Sequence, residues 1–161
     1  MKTKIAFFLR IILLATCGLL IFGCTDEVDQ EVVQNGYVSE RVDLDILETD
    51  LAVKYNIDDL EVKESFVEII GWGFIEGSDT HNILHYILLK KDDELIAFDT
   101  DTFARPDVTE YFKDLNLDLD DAGFIAIIPV NLLGEGNYQI GLYIIKNGKE
   151  GGEFSEFYLE L

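Results

Sequence analysis

Phe66-Val67-Glu68-Ile69-Ile70-Gly71-Trp72-Gly73-Phe74-Ile75 is the stretch on which the fold of this chain turns. Its β-branched and aromatic side chains suit a pleated surface, and Glu76-Gly77-Ser78-Asp79 closes it with turn residues. Downstream, residues 83–90 read as a second strand, Lys91-Asp92-Asp93-Glu94 is polar enough for a hairpin, and residues 95–100 return as a third strand. Residues 124–130, ended by Pro129, read as a fourth, residues 138–146 as a fifth and residues 154–161 as a sixth. Asn147-Gly148 joins the last two, because both residues tolerate positive φ. The sixth strand runs to Leu161, which is expected to belong to the sheet. Upstream, Val42, Leu44 and Ile46 alternate with Asp43 and Asp45 as in a half-exposed strand, although Leu47, Leu51 and Tyr55 would also suit a helical face. A strand followed by irregular structure is the favoured reading of residues 37–60. One helical turn is expected at residues 105–112, where Pro106 can start a helix and Val108, Tyr111 and Phe112 share a face. About seven strands with so little helix predict an all-β sandwich, since two apolar sheet faces must cover each other.

Ahead of the sandwich, Lys2, Lys4 and Arg10 precede an uncharged stretch, residues 11–22, that ends in Gly23-Cys24. That stretch has the length of a signal-peptide core and is too short to span a membrane, which takes about 20 apolar residues. A small residue followed by a cysteine is what a lipoprotein signal peptidase requires, and Cys24 is therefore the expected lipidation site. Phe22 is bulkier than usual at its place, and Cys17 is a weaker rival because half of the apolar core would follow the cut. An uncleaved anchor and a soluble secreted form are the alternatives. Both cysteines fall in this region, so a processed domain has no thiol for a disulfide, a thiolate metal site or cysteine chemistry. Residues 25–36 are acidic, lack aromatics and end on Gly36. They read as a tether, whose dozen residues reach on the order of 40 Å when extended. The expected division is a signal peptide at 1–23, a lipid-anchored acidic tether at 24–36 and one sandwich domain at 37–161. The expected location is the extracellular face of the cell membrane.

Charge narrows the partners. Twelve Lys and Arg, three of them in the signal, stand against thirty-two Asp and Glu, so the processed chain carries nine positive and thirty-two negative side chains, a net −23. Such a surface repels nucleic acid, and it repels teichoic acids and anionic headgroups unless a cation bridges them. Solubility, or a salty or alkaline habitat, is the plain reason for it.

Several residues merit individual readings. Arg105-Pro106-Asp107 makes a corner: proline fixes the turn, Asp107 can cap the helix by accepting a backbone N–H, and Arg105 is long enough to reach Asp99 or Asp101. A locked corner between sheets is favoured over an acid-binding arginine. Trp72, the single tryptophan, lies between two glycines, so its ring packs where neighbouring side chains must be absent. Core packing is favoured for it over a sugar-stacking platform. Asn116, Asp118 and Asp120 occupy the first, third and fifth places of a calcium-loop spacing, but Asp121 stands where the loop needs glycine and Ile127 where it needs glutamate. Leu115, Leu117 and Leu119 alternate as in an edge strand instead. His81 and His85 would share a helix face, yet the context is β, where they lie about 13 Å apart. The serines Ser39, Ser65, Ser78 and Ser155 lack a strained-turn motif. No cofactor is expected.

Gly71-Trp72-Gly73-Phe74-Ile75-Glu76-Gly77, Phe98-Asp99-Thr100, Arg105-Pro106-Asp107-Val108-Thr109 with Phe112, Gly123-Phe124, and Gly136-Asn137-Tyr138-Gln139-Ile140-Gly141-Leu142-Tyr143 follow one another at a telling spacing. The set resembles an immunoglobulin-like β-sandwich module of surface and envelope proteins of Gram-positive bacteria. The resemblance covers residues 62–161, and Arg105-Pro106-Asp107-Val108 with Gly123-Phe124 is its most specific part. It implies an immunoglobulin-like fold with Trp72, Arg105, Pro106, Asp107, Phe112, Gly123 and Phe124 as its structural motif, and it implies no enzymatic activity and no assigned ligand. The expectation is a non-catalytic envelope lipoprotein that binds a glycan or a membrane protein. The alternative is a small glycan-active enzyme using loop carboxylates, with calcium assistance.

Overall fold

The computed structural model describes residues 51–161 together with two short upstream strands, β1 (Val32–Gln34) and β2 (Tyr37–Arg41). The signal segment 1–23, Cys24 and the alternation at Val42, Leu44 and Ile46 lie outside the described residues. No helix among the described residues is long and apolar enough to cross a membrane. The chain continues through β3 (Val53–Val62), β4 (Phe66–Ile75), β5 (Leu84–Lys91), β6 (Glu94–Asp99), β7 (Asp101–Phe103), α1 (Pro106–Tyr111), β8 (Gly123–Pro129), β9 (Asn137–Lys146) and β10 (Lys149–Glu160). Two antiparallel sheets result: a six-stranded one in the order β1-β2-β6-β5-β9-β10 and a four-stranded one in the order β3-β4-β8-β7. The fold is an all-β sandwich, as the strand pattern predicts.

β4 is the centrepiece because its alternation serves two layers. Val67, Ile69 and Ile75 point between the sheets and pack with Ile87, Leu89, Phe124, Ala126, Ile140, Leu142 and Ile144. The even positions Trp72 and Phe74 point the other way, where Val108, Phe112, Leu119 and Ala122 cover them. The segment between β7 and β8 is thus a third layer on the outside of the four-stranded sheet, built around α1. Gly71 and Gly73 share the inward face. A Cβ on Gly71 would lie 2.2 Å from the Asn56 carbonyl oxygen, and one on Gly73 would lie 2.3 Å from Leu142 Cδ2. The two glycines therefore admit the opposite sheet and the neighbouring strand to within contact of the β4 backbone.

Four differences from the sequence reading have local causes. Residues 53–62 form a full strand where irregular structure was expected, because a bulge between Ile57 and Asp59 slips its phase. Val53, Tyr55 and Ile57 alternate, then Leu60 and Val62 resume one residue late, and the three-residue step between Ile57 and Leu60 mimics a helical period. β10 begins at Lys149, earlier than expected, since Gly151, a poor strand former, is needed where a Cβ would meet Val53 Cγ2 at 2.8 Å. Val32–Gln34 lies in the stretch read as tether and pairs with β2, which in turn pairs with β6. The expected edge strand around Leu115–Leu119 is instead a 3₁₀ turn, Lys113–Leu115, followed by Asn116 in the left-handed region and an irregular segment that buries Leu119. Asparagine accepts that conformation readily.

Candidate functional site

The Arg105 corner assembles on the outer face of the four-stranded sheet. Phe103, Gly123, Trp72 and Asn56 form one row of directly opposed residues across its four strands. Arg105 lies against this row at Gly123, where a Cβ would sit 2.7 Å from Arg105 Cγ and 2.5 Å from the Phe103 carbonyl oxygen. Its Nη1 donates to Asp58 Oδ2 at 2.5 Å, and its Nε and Nη2 donate to the two oxygens of Asp107 at 2.8 and 2.7 Å. The Asp107 pairing, with Asp58 beside it, raises the guanidinium pKa further above its already high value. Hydrogen bonding to Arg105 in turn holds the Asp107 carboxyl below the usual range. The carboxylates expected for Arg105, Asp99 and Asp101, are not those it reaches. Asp107 makes no helix cap either: Arg105 occupies the N-cap position of α1, Pro106 starts the helix, and the Asp107 side chain is turned to the guanidinium. Phe112 closes the corner edge-on to Trp72 and Phe74, with ring centroids 5.5 and 5.2 Å apart. Phe124, on the inward face, is fully buried beside His85, their ring centroids 5.5 Å apart.

Trp72 is therefore neither a sandwich-core residue nor a free platform. Partly buried, it stacks on Phe74 at 6.0 Å and also forms part of a groove of about 530 Å³ along the open edge of the sandwich, between β3 and β10. Tyr55 and Asn56 from β3 and Glu153, Glu156 and Phe157 from β10 share its lining. The β10 side is shaped by a bulge: Phe154 pairs with Gly141 and Tyr158 with Gln139, so three residues stand opposite Ile140 alone. Ser155 holds that loop, its hydroxyl donating to the Ile140 carbonyl at 2.8 Å and accepting the Phe157 N–H at 3.0 Å. The bulge leaves Phe157 and its neighbour Tyr158 both exposed, at 50% and 55%, where an unbroken strand would turn one inward. Burial, with Glu153 nearby, pushes the Tyr55 hydroxyl up to about 12, so it remains a neutral donor throughout the physiological range. An aromatic wall with hydroxyl, amide and carboxylate groups around it can stack on the apolar face of a ring while bonding its hydroxyls.

The remaining sequence candidates separate in space. His81 is exposed and paired with Asp121 at 3.3 Å, whereas His85 is buried in β5 and bonded through Nε2 to the Gly73 carbonyl at 2.9 Å. In the calcium-spaced segment, Asp118 accepts the Asp120 N–H at 3.1 Å and Asp120 accepts the Thr109 hydroxyl at 2.6 Å, so both carboxylates shape the turn that carries Leu119 inward. Among the described residues no group of three or more His, Cys, Asp and Glu is arranged to hold a metal ion. Sequence reading passed over Tyr55, Asp58, Glu153 and Phe157. A phase slip in β3 and two adjacent aromatics at Phe157-Tyr158 were the signals for three of these; nothing local marks Asp58 as the partner of a residue 47 positions away. Compared with protein-family models, with curated proteins and with solved structures, the chain finds no match in any of the three.

Proposed function

We propose that this chain is a non-catalytic module of the cell envelope, anchored by a lipid on Cys24 at the outer face of the cytoplasmic membrane, that binds a glycan in the groove between β3 and β10. The observation that carries the reading is the convergence of Trp72, Tyr55 and Phe157 with Asn56, Glu153 and Glu156 in that one groove. Stacking on these rings favours flat apolar ring faces, and the carboxylates and amide accept and donate to hydroxyls. The two glutamates and the net charge of −20 select against acidic polymers, so neutral or amino-bearing glycans are the class that fits. The sandwich with its Arg105 corner supports an immunoglobulin-like reading, in which the corner is structural and the groove binds.

The test is co-sedimentation of the lipidated chain with envelope from the producing organism, beside a Trp72→Ala, Tyr55→Ala double variant. Saturable binding by the parent and loss of at least about tenfold in affinity by the variant is the expected result, since each base-like aromatic stack is worth on the order of 1 kcal/mol. Equal binding by both removes the groove from the function, and no binding by either directs the search to a membrane-protein partner. Labelled palmitate should enter the parent and not Cys24→Ala.

A further inference from the structure

A second groove, of about 420 Å³, lies on the opposite edge of the sandwich, where the chain passes from β6 to β7 through the single residue Thr100. β7 pairs with β8 only as far as Ile125, and the groove opens along β8 from there, reaching Ile127. Leu84, Phe98, Ile125 and Ile127 give it apolar walls; Asp99, Asp101 and the ring of His85 supply its polarity. His85 is only 3% exposed. Because Nε2 meets a carbonyl oxygen, that nitrogen carries the ring proton, and Nδ1 is left as a lone-pair acceptor. Among the described residues, Nδ1 is the buried side-chain polar atom without a hydrogen-bond partner, and such an atom is costly to leave unmet.

The donor and acceptor count decides the ligand class. The carboxylates of Asp99 and Asp101 and the Nδ1 of His85 all accept, and no Lys or Arg lines the groove. The Thr100 hydroxyl is already donating to the His85 carbonyl at 3.0 Å. An anion would be repelled, and a ligand made only of acceptors would leave every one of these groups unmet. A primary ammonium has three donors, no acceptor and a positive charge, and the net charge of −20 draws it in. The apolar walls match a short aliphatic chain behind it. We propose that this groove binds a primary alkylammonium, with Asp99 and Asp101 taking the charge and His85 Nδ1 accepting one N–H. The site is separate from the glycan groove and does not depend on it. Asp99 is raised by burial, which marks it as a carboxylate short of counter-charge.

The full chain, labelled with ¹⁵N-histidine, is titrated with butylammonium, and the Nδ1 resonance of His85 is followed with that of exposed His81 as internal reference. A saturable His85 shift is expected with butylammonium and none with butanol, which lacks the charge, or with butyltrimethylammonium, which lacks the N–H donors. Asp99→Asn and, separately, Asp101→Asn should each weaken the titration about tenfold, the loss of one charge-assisted hydrogen bond. Two variants keep the test open if one fails to fold. An unmoved Nδ1 resonance, an equal response to butyltrimethylammonium, or unchanged affinity in the folded variants would overturn the assignment.

Discussion

His85 shows how one buried side chain sets a pH limit on the whole fold. Burial lowers its pKa from 6.5 to about 4, against the smaller opposite pull of its bond to the Gly73 carbonyl. The folded chain therefore keeps the ring neutral where the unfolded chain has already taken a proton. Stability is unaffected above about pH 6.5, falls as pH drops from there to about 4, and levels off below, with a slope approaching about 1.4 kcal/mol per pH unit. The Asp79 and Asp107 carboxyls, held low by Lys146 and Arg105, lose their contributions only at more acidic pH, and Asp99, raised, acts in the opposite direction. Urea unfolding at pH 7 and pH 4.5 should thus show a larger drop for the parent chain than for His85→Phe. Equal drops would mean that His85 is not the titrating group.

At the scale of elements, the Arg105 corner decides whether the third layer stays on the sheet. α1 has six residues and no side-chain cap, so its own hydrogen bonds cannot maintain it. It stays in place because Val108 and Phe112 pack on Phe74 and because Arg105, 18% exposed, joins Asp107 to Asp58 across the sheet. Arg105→Ala is expected to cost about 1–2 kcal/mol in chemical denaturation, the range for partly exposed charge-assisted bonds, and to leave binding in the β3–β10 groove unchanged. A binding loss without a stability loss would make Arg105 a ligand contact instead. The same elements show what a sequence can disclose. β4, β5, β6, β8 and β9 were legible to within a residue or so because their apolar runs are continuous and bounded by turn residues. Pro106 gave the start of α1 through its fixed φ. The bulges in β3 and β10 were not legible, because a bulge is defined by its partner strand, and they are what form the candidate groove. Trp72 was recognisable as a residue with bare neighbours, but whether its ring faced the core or an edge depended on the phase of β4 against a helix 34 positions later.

For the whole molecule, the two sheets depend on the last strand as a common edge. β10 pairs with β9 along most of its length, buries Leu159 in the core and approaches β3 at Gly151. Leu161 and Gly136 exchange two backbone hydrogen bonds of 3.0 Å beyond it. Removing residues 154–161 strips β9 of its partner and opens the core at Leu159, so the shortened chain should show no cooperative thermal transition by circular dichroism. An unchanged melt would show that β10 is an accessory to the sandwich.

The strand at Val32–Gln34 carries a consequence for how the molecule stands on a surface. If Cys24 bears the lipid, only about seven residues separate it from β1, a reach of about 25 Å at full extension rather than the 40 Å of an unstructured tether. β1 is one outer strand of the six-stranded sheet and β10 the other, five strand spacings or about 24 Å away. The chain is thus leashed at one border of the sheet and carries its aromatic groove on the other. A short leash on the near side holds the groove on the far side, turned from the bilayer toward whatever lies beyond it.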